Sequence, residues 1–259
     1  MANRAQLRWR LAKTLVLCCT LLICWLTPEG QQSPAQRTNE LLTSLRSPVL
    51  FQGDATTGYR DPAAAYHDGW FYLYFTLART ESPGGVFLYV ALSKSRDLVT
   101  WTEPKILTPR DKNLNFSSPG NVVRIGDEWI LCLQSYPRPA GERYGTNAAR
   151  LWIMRSKDLE HWGAPELLRV KGPEVPPEKM GRMIDPFLVE DKDEPGKWWC
   201  LYKQHGMSRS WSRDLKTWRF AGSSHAGENA CVVRQGTEYA LFTSPGNGIS
   251  VKKSVDLKN

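Results

Sequence analysis

A chain of 259 residues, 41% hydrophobic with 11 Trp and 9 Tyr, carries enough apolar and aromatic surface to bury a large core, which excludes a disordered protein. Its formal charge of +8 is scattered, with no basic block and with the aromatics in strand-like runs. That distribution argues against a nucleic-acid partner.

The first segment stands apart. Arg4, Arg8, Arg10 and Lys13 precede an uncharged run over 14–26, too short for a membrane-spanning helix, which needs about 20 apolar residues. The pattern predicts a secretory signal peptide, closed by the helix-breaking Thr27-Pro28-Glu29-Gly30 and by a small-x-small site at Ser33-Pro34-Ala35. Residues 1–35 are therefore a leader and 36–259 one folded domain. The mature protein is expected to be secreted or periplasmic, touching a membrane only through an uncleaved leader. Cys18, Cys19 and Cys24 leave with the leader; Cys132, Cys200 and Cys231 stand singly in apolar runs and are expected as buried thiols.

Next come short apolar strands over 62–66, 121–125, 186–190 and 230–234, each followed by a turn and an aromatic strand over 70–76, 129–135, 198–204 and 238–244. Third strands are clearest over 86–93 and 149–156. Each unit then closes on the phrase Ser-x-Asp-Leu-x-x-Trp: Ser95 to Trp101, Ser156 to Trp162, Ser212 to Trp218, and a fourth copy from Ser254 that reaches Asn259 where its Trp is due. The Ser and Asp side chains of such a phrase can close a tight turn on nearby amides, while Leu and Trp pack between units. Repeated units of three or four antiparallel strands, without helical periodicity, predict the blades of a β-propeller. The expected fold is all-β and five-bladed, with four blades visible and the last blade incomplete, and residues 47–51 are available to contribute a closing strand.

The innermost strand of a blade lines the central channel, so the residue that opens it faces a shared funnel. The openings are Arg60-Asp61-Pro62, Ser118-Pro119-Gly120-Asn121, Met183-Ile184-Asp185-Pro186 and Gly227-Glu228-Asn229. Three of the four hold a carboxylate. Like charges gathered on one axis oppose each other's ionisation, which brings a purely structural protein little. Glycoside hydrolysis, by contrast, needs such a set. Arg60, Asn121, Arg182 and His205 are candidates for substrate binding. Trp70, Trp129, Trp198 and Trp199 sit in strands and are expected to pack in the core. The loop aromatics Tyr59, Phe116, Tyr136 and Tyr144 are expected to meet substrate, and the long excursion 136–147 to shape the cleft.

On Arg60-Asp61-Pro62, Ile184-Asp185-Pro186 and Glu228 ahead of Cys231-Val232-Val233, the chain resembles the five-bladed β-propeller glycosidases of family 43, whose clan includes family 32, over roughly residues 47–259. The resemblance implies that Asp61 is the general base, Asp185 tunes and orients the acid, and Glu228 is the general acid of an inverting hydrolase. It implies a carbohydrate substrate of arabinan or xylan type, no cofactor and no metal ligands in the chemistry, with a structural calcium of the kind some relatives hold left open. Asn229 and Ala230 depart from the Gly or Ala and the Pro usual after that Glu. A carbohydrate-binding propeller without catalysis is the alternative, and a phosphorylase with a related propeller is a further one.

Overall fold

Apolar runs build the expected strands, some alternating and some buried along most of their length, and the computed structural model describes residues 50–82 and 84–258, together with Thr43. The leader reading falls outside the described residues. No described helix is long and apolar enough to cross a membrane.

Four antiparallel sheets follow one another along the chain. The first is β1 (Thr57–His67), β2 (Trp70–Glu81), β3 (Gly85–Ser95) and β4 (Lys105–Ile106). In the second, β5 (Phe116–Ser117) and β6 (Val122–Ile125) both pair with β7 (Glu128–Ser135), followed by β8 (Leu151–Ser156) and β9 (Glu166–Leu167). The third is β10 (Ile184–Glu190), β11 (Trp198–Lys203), β12 (Met207–Ser212) and β13 (Arg219–Ser224). The fourth holds three strands, β14 (Glu228–Gln235), β15 (Glu238–Ser244) and β16 (Ser250–Ser254). These sheets are the blades of a β-propeller. The described residues supply four of the five expected, the fourth with one strand fewer than the first and third.

The recurrent phrase does what its side chains predict. In its second copy the Ser156 hydroxyl accepts the amides of Asp158 and Leu159, while Asp158 Oδ1 accepts those of Glu160 and His161. Leu98, Leu159 and Leu215 take a left-handed backbone, with φ of 60°, 67° and 56°, and each phrase Trp donates its indole N–H to the carbonyl of that Leu. Because these carboxylates accept several amides, Asp158 and Asp214 lie well below the usual carboxylate range and Asp97 is lowered to about 2.

Filling between consecutive blades holds the stack together. Tyr74, Val90, Leu131, Met154 and Leu159 fill the space between the first two blades, and the Tyr74 hydroxyl donates to the Leu159 carbonyl at 2.7 Å. Ile130, Ile153, Leu188, Cys200 and Tyr202 do the same between the second and third, and Trp199, Leu201, Ala230, Val232 and Tyr239 between the third and fourth. Each Val, Leu, Ile or Met among them stabilises by about 1.5–3 kcal/mol when fully buried. Cys132 and Cys200 are buried thiols as expected, whereas Cys231 is exposed. The alternation of β14 turns Ala230 and Val232 toward the third blade and leaves Cys231 on the other face.

Candidate active site

The inner strand of three blades slips register against its neighbour at the same place, between Arg60 and Ala63, Ile184 and Phe187, and Glu228 and Cys231. A bulge bends the strand and re-aims the side chain at its head. Asp61, Asp185 and Asn229 sit at these bulges with φ of 53°, 54° and 56°, and Ser118 takes the matching position in the second blade with φ of 44°. Asp and Asn are among the few residues other than Gly that tolerate a left-handed backbone. These four residues line the central channel together with Pro62, Gly120, Pro186 and Ala230. The fourth-blade counterpart of Asp61 and Asp185 is thus Asn229, and Glu228 stands one residue earlier, where the other blades have Arg60 and Ile184.

All three predicted carboxylates nevertheless line one cavity of about 390 Å³, along with Arg60, Thr76, Ser118, Gln134, Tyr136, Arg138, Arg143, Tyr144 and Arg182. Asp61 is the most firmly held. Its Oδ2 accepts from Arg60 Nε at 3.1 Å, Thr76 Oγ1 at 2.9 Å and Ser118 Oγ at 3.1 Å.

Asp185 is placed by its backbone: its amide donates to Gln134 Oε1 at 2.7 Å, and Gln134 Nε2 donates in turn to Ser117. Burial pushes its carboxyl up to about 7, reinforced by the charges of Glu228 and Asp61 and opposed by Arg182 and Lys203. Glu228 is half-exposed and lies 3.6 Å from Lys203 Nζ.

The excursion 136–147, between β7 and β8, supplies Tyr136, Arg138, Arg143 and Tyr144 to the cavity lining. Arg138 Nε donates to the Glu142 carbonyl, and the Thr146 amide to the Pro137 carbonyl at 3.0 Å. A Cβ at Gly145 would lie 2.7 Å from the Tyr136 ring, so glycine lets the loop pack flat on it. Arg150, buried just beyond, donates to the carbonyls of Asn147, Ala149, Pro177 and Gly181, tying the loop to the segment that leads into β10. Arg182 Nε donates to the Gly145 carbonyl at 3.3 Å, and its guanidinium lies 5.6 Å from the Tyr136 ring.

Other expected residues fall elsewhere, which corrects the sequence reading. Asn121 does not line the cavity, because both ends of its amide are taken by the next blade: Nδ2 donates to the Leu188 carbonyl at 2.8 Å and Oδ1 accepts the Leu188 amide at 2.9 Å. His205 is exposed in an adjoining depression with Asn147, Lys203 and Gln204, of which Arg182 forms the shared border. Tyr59 stacks on Phe51 at 5.3 Å, and Phe116 is fully buried edge-on to Trp152 at 5.4 Å, so both belong to packing. Among the strand tryptophans, Trp198 and Trp199 are buried as expected.

Thr76, Gln134, Arg138, Arg143 and Arg150 were not singled out by their residue type or spacing. Among the described residues no group of three His, Cys, Asp or Glu side chains is disposed to hold a metal ion.

No family model matches the chain, and no curated protein does. Solved structures do. A candidate glycoside hydrolase from Parabacteroides distasonis superposes with a TM-score of 0.61 at 14% identity, covering 82% of this chain and 77% of its own. The GH43_1 enzyme from Xanthomonas citri, complexed with xylotriose, gives 0.57 at 12% identity over 85% and 76%. An exo-1,5-α-L-arabinanase from a bovine ruminal metagenomic library gives 0.52 at 18% identity over 81% and 75%. At such identities the likeness is one of fold.

Proposed function

We propose that this chain is a glycosidase that hydrolyses O-glycosidic bonds of a poly- or oligosaccharide. The observation that carries the reading is the meeting of carboxylates from three separate blades on one cavity, with one of them, Asp185, holding its proton up to about pH 7. Hydrolysis with inversion needs one ionised carboxylate to draw a proton from water and one protonated carboxyl to deliver a proton to the leaving oxygen.

Asp61 takes the first role. Its three donors all address Oδ2, which fixes the carboxylate and leaves Oδ1 to receive the proton of the attacking water. Glu228 takes the second, as the fourth-blade carboxyl of the same cavity, with Asp185 lining that cavity beside it. A second reading exchanges these two, since Asp185 is itself the group that retains a proton. The neighbours' names, an arabinanase and a xylotriose complex among them, support a pentose-containing substrate as the first to try. The leader motif supports export.

The test compares Asp61→Asn, Asp185→Asn and Glu228→Gln on paired aryl and alkyl glycosides. Asp61→Asn should lose about 10²–10⁴-fold on both. Glu228→Gln should lose that much on the alkyl glycoside and far less on the aryl one, whose leaving group needs no proton. If Asp185→Asn shows that leaving-group dependence instead, the second reading holds. Full activity in Asp61→Asn would sink both.

A further inference from the structure

The cavity contains more cation than its carboxylates use. Arg138, Arg143 and Arg182 line it beside Arg60. The ion-paired arginines among the described residues are Arg60, Arg110, Arg155 and Arg213. The other three cavity arginines instead touch carbonyls and rings. Arg138 and Arg182 each commit Nε to a loop carbonyl, Arg182 lies over Tyr136, and Arg143 lies 5.2 Å from the Tyr144 ring. Arg182 also acts on Asp185, opposing the rise that burial gives that carboxyl. Arg138 and Arg143 have no such duty.

A neutral sugar gives hydrogen-bonding groups that both donate and accept, and a guanidinium can only donate. Clustering fixed cations in a cleft costs mutual repulsion unless an anion enters. Their planar, forked donors match the two oxygens of a carboxylate or of a sulfate. The loop that carries them is anchored by Arg150 and packed on Tyr136, so the cations are presented by a built wall.

We propose that the loop 136–147 forms an anion subsite, centred on Arg138 and Arg143 and bordered by Arg182, and that the sugar unit it holds is acidic, carrying a carboxylate or a sulfate group. The inference rests on the glycosidase reading for the bond that is cut, and on the loop alone for the charge that is bound.

The experiment measures calorimetric binding of matched oligosaccharides to the full chain. One pair is an oligouronide and its carboxyl-reduced form; the other is a sulfated oligosaccharide and its desulfated form. At least one acidic member should bind about tenfold or more tighter than its neutral counterpart, the effect of a single charge-assisted hydrogen bond. That advantage should shrink with added salt and vanish in Arg138→Gln/Arg143→Gln. Arg143→Gln alone, at an exposed position, should lose part of it with an unchanged melting temperature. Whichever pair responds identifies carboxylate or sulfate. Equal binding of both members of both pairs, or an advantage that survives the double variant, overturns the inference. Release of a sugar 1-phosphate when inorganic phosphate is added overturns it too, because the anion is then a co-substrate. Hydrolysis is followed in parallel: arginine-dependent binding without cleavage of any glycan sinks the glycosidase reading and leaves the subsite standing.

Discussion

The Ser118 hydroxyl donates to Asp61 Oδ2 at 3.1 Å, so a residue at the head of the second blade holds the carboxylate of the first. Thr76 reaches the same oxygen at 2.9 Å, and its hydroxyl also accepts the buried Ser118 amide at 2.7 Å.

The two hydroxyls therefore separate in their effects. Ser118→Ala should lower kcat roughly tenfold with little change in KM or melting temperature, since it removes one hydrogen bond to a charged group. Thr76→Ala should do the same and also destabilise by about 1–3 kcal/mol, because it strands a buried N–H. Urea unfolding beside steady-state kinetics checks both; equal stability losses in the two variants would refute the distinction.

Asp185 gives stability an unusual slope with pH. Burial pushes its folded carboxyl up to about 7 from an ordinary value of 3.8, so between about pH 4 and 7 the folded state retains a proton that the unfolded chain releases. Stability falls as pH rises through that window and levels off above it. Ionised Asp185 costs the fold on the order of 4 kcal/mol, and Asp185→Asn removes that cost. Thermal melts should show the variant gaining on the parent from pH 4 to pH 8; a gap that does not change with pH would contradict the assignment.

The turn carboxylates tilt the other way. Asp158 and Asp214 are lowered by the amides they accept, so their contribution is present above the usual carboxylate range and is lost as pH falls through the folded value. Asp214→Asn should be less stable than the parent at pH 7, with the difference closing toward pH 2, as followed by circular dichroism in acid titration.

Packing between the second and third blades leaves no room at Gly120, where an added Cβ would stand 1.6 Å from the Pro186 carbonyl oxygen. Gly120→Ala should destabilise by about 3 kcal/mol or more, as overpacking against backbone does. Asn121→Ala should also weaken the fold by about 2–4 kcal/mol through its two lost bonds to Leu188, while a glycan substrate's KM stays within about twofold. A large rise in KM with intact stability would return Asn121 to the substrate site.

The fold was legible because its repeat is local: Ser156, Asp158, Leu159 and Trp162 form one turn from one short phrase, and β2, β7, β11 and β15 announce themselves by apolar runs that each hold at least one aromatic residue. The carboxylates were legible as heads of inner strands, yet their register was not. Whether Glu228 or Asn229 occupies the bulge depends on the pairing of β14 with β15, which spacing alone does not reveal. Asn121 read as a funnel residue because its backbone position is right, while its side chain turns to Leu188. Arg138 and Arg143 lie in, and Arg150 just beyond, a loop whose path is set by contacts distant in sequence, so no period points to them.

The left-handed bend at the head of each inner strand also bears on how such chemistry could arise. Backbone geometry by itself restricts that position to a small alphabet, here Asp61, Ser118, Asp185 and Asn229. Three of those four residues are acidic or the amide of an acid. A scaffold whose inner-strand heads favour short polar residues, Asp and Asn among them, comes to evolution already carrying candidate acids and bases, so reactivity can be adjusted by exchanging an amide for a carboxyl without disturbing the chain. Asn229 is where a further exchange of that kind is open.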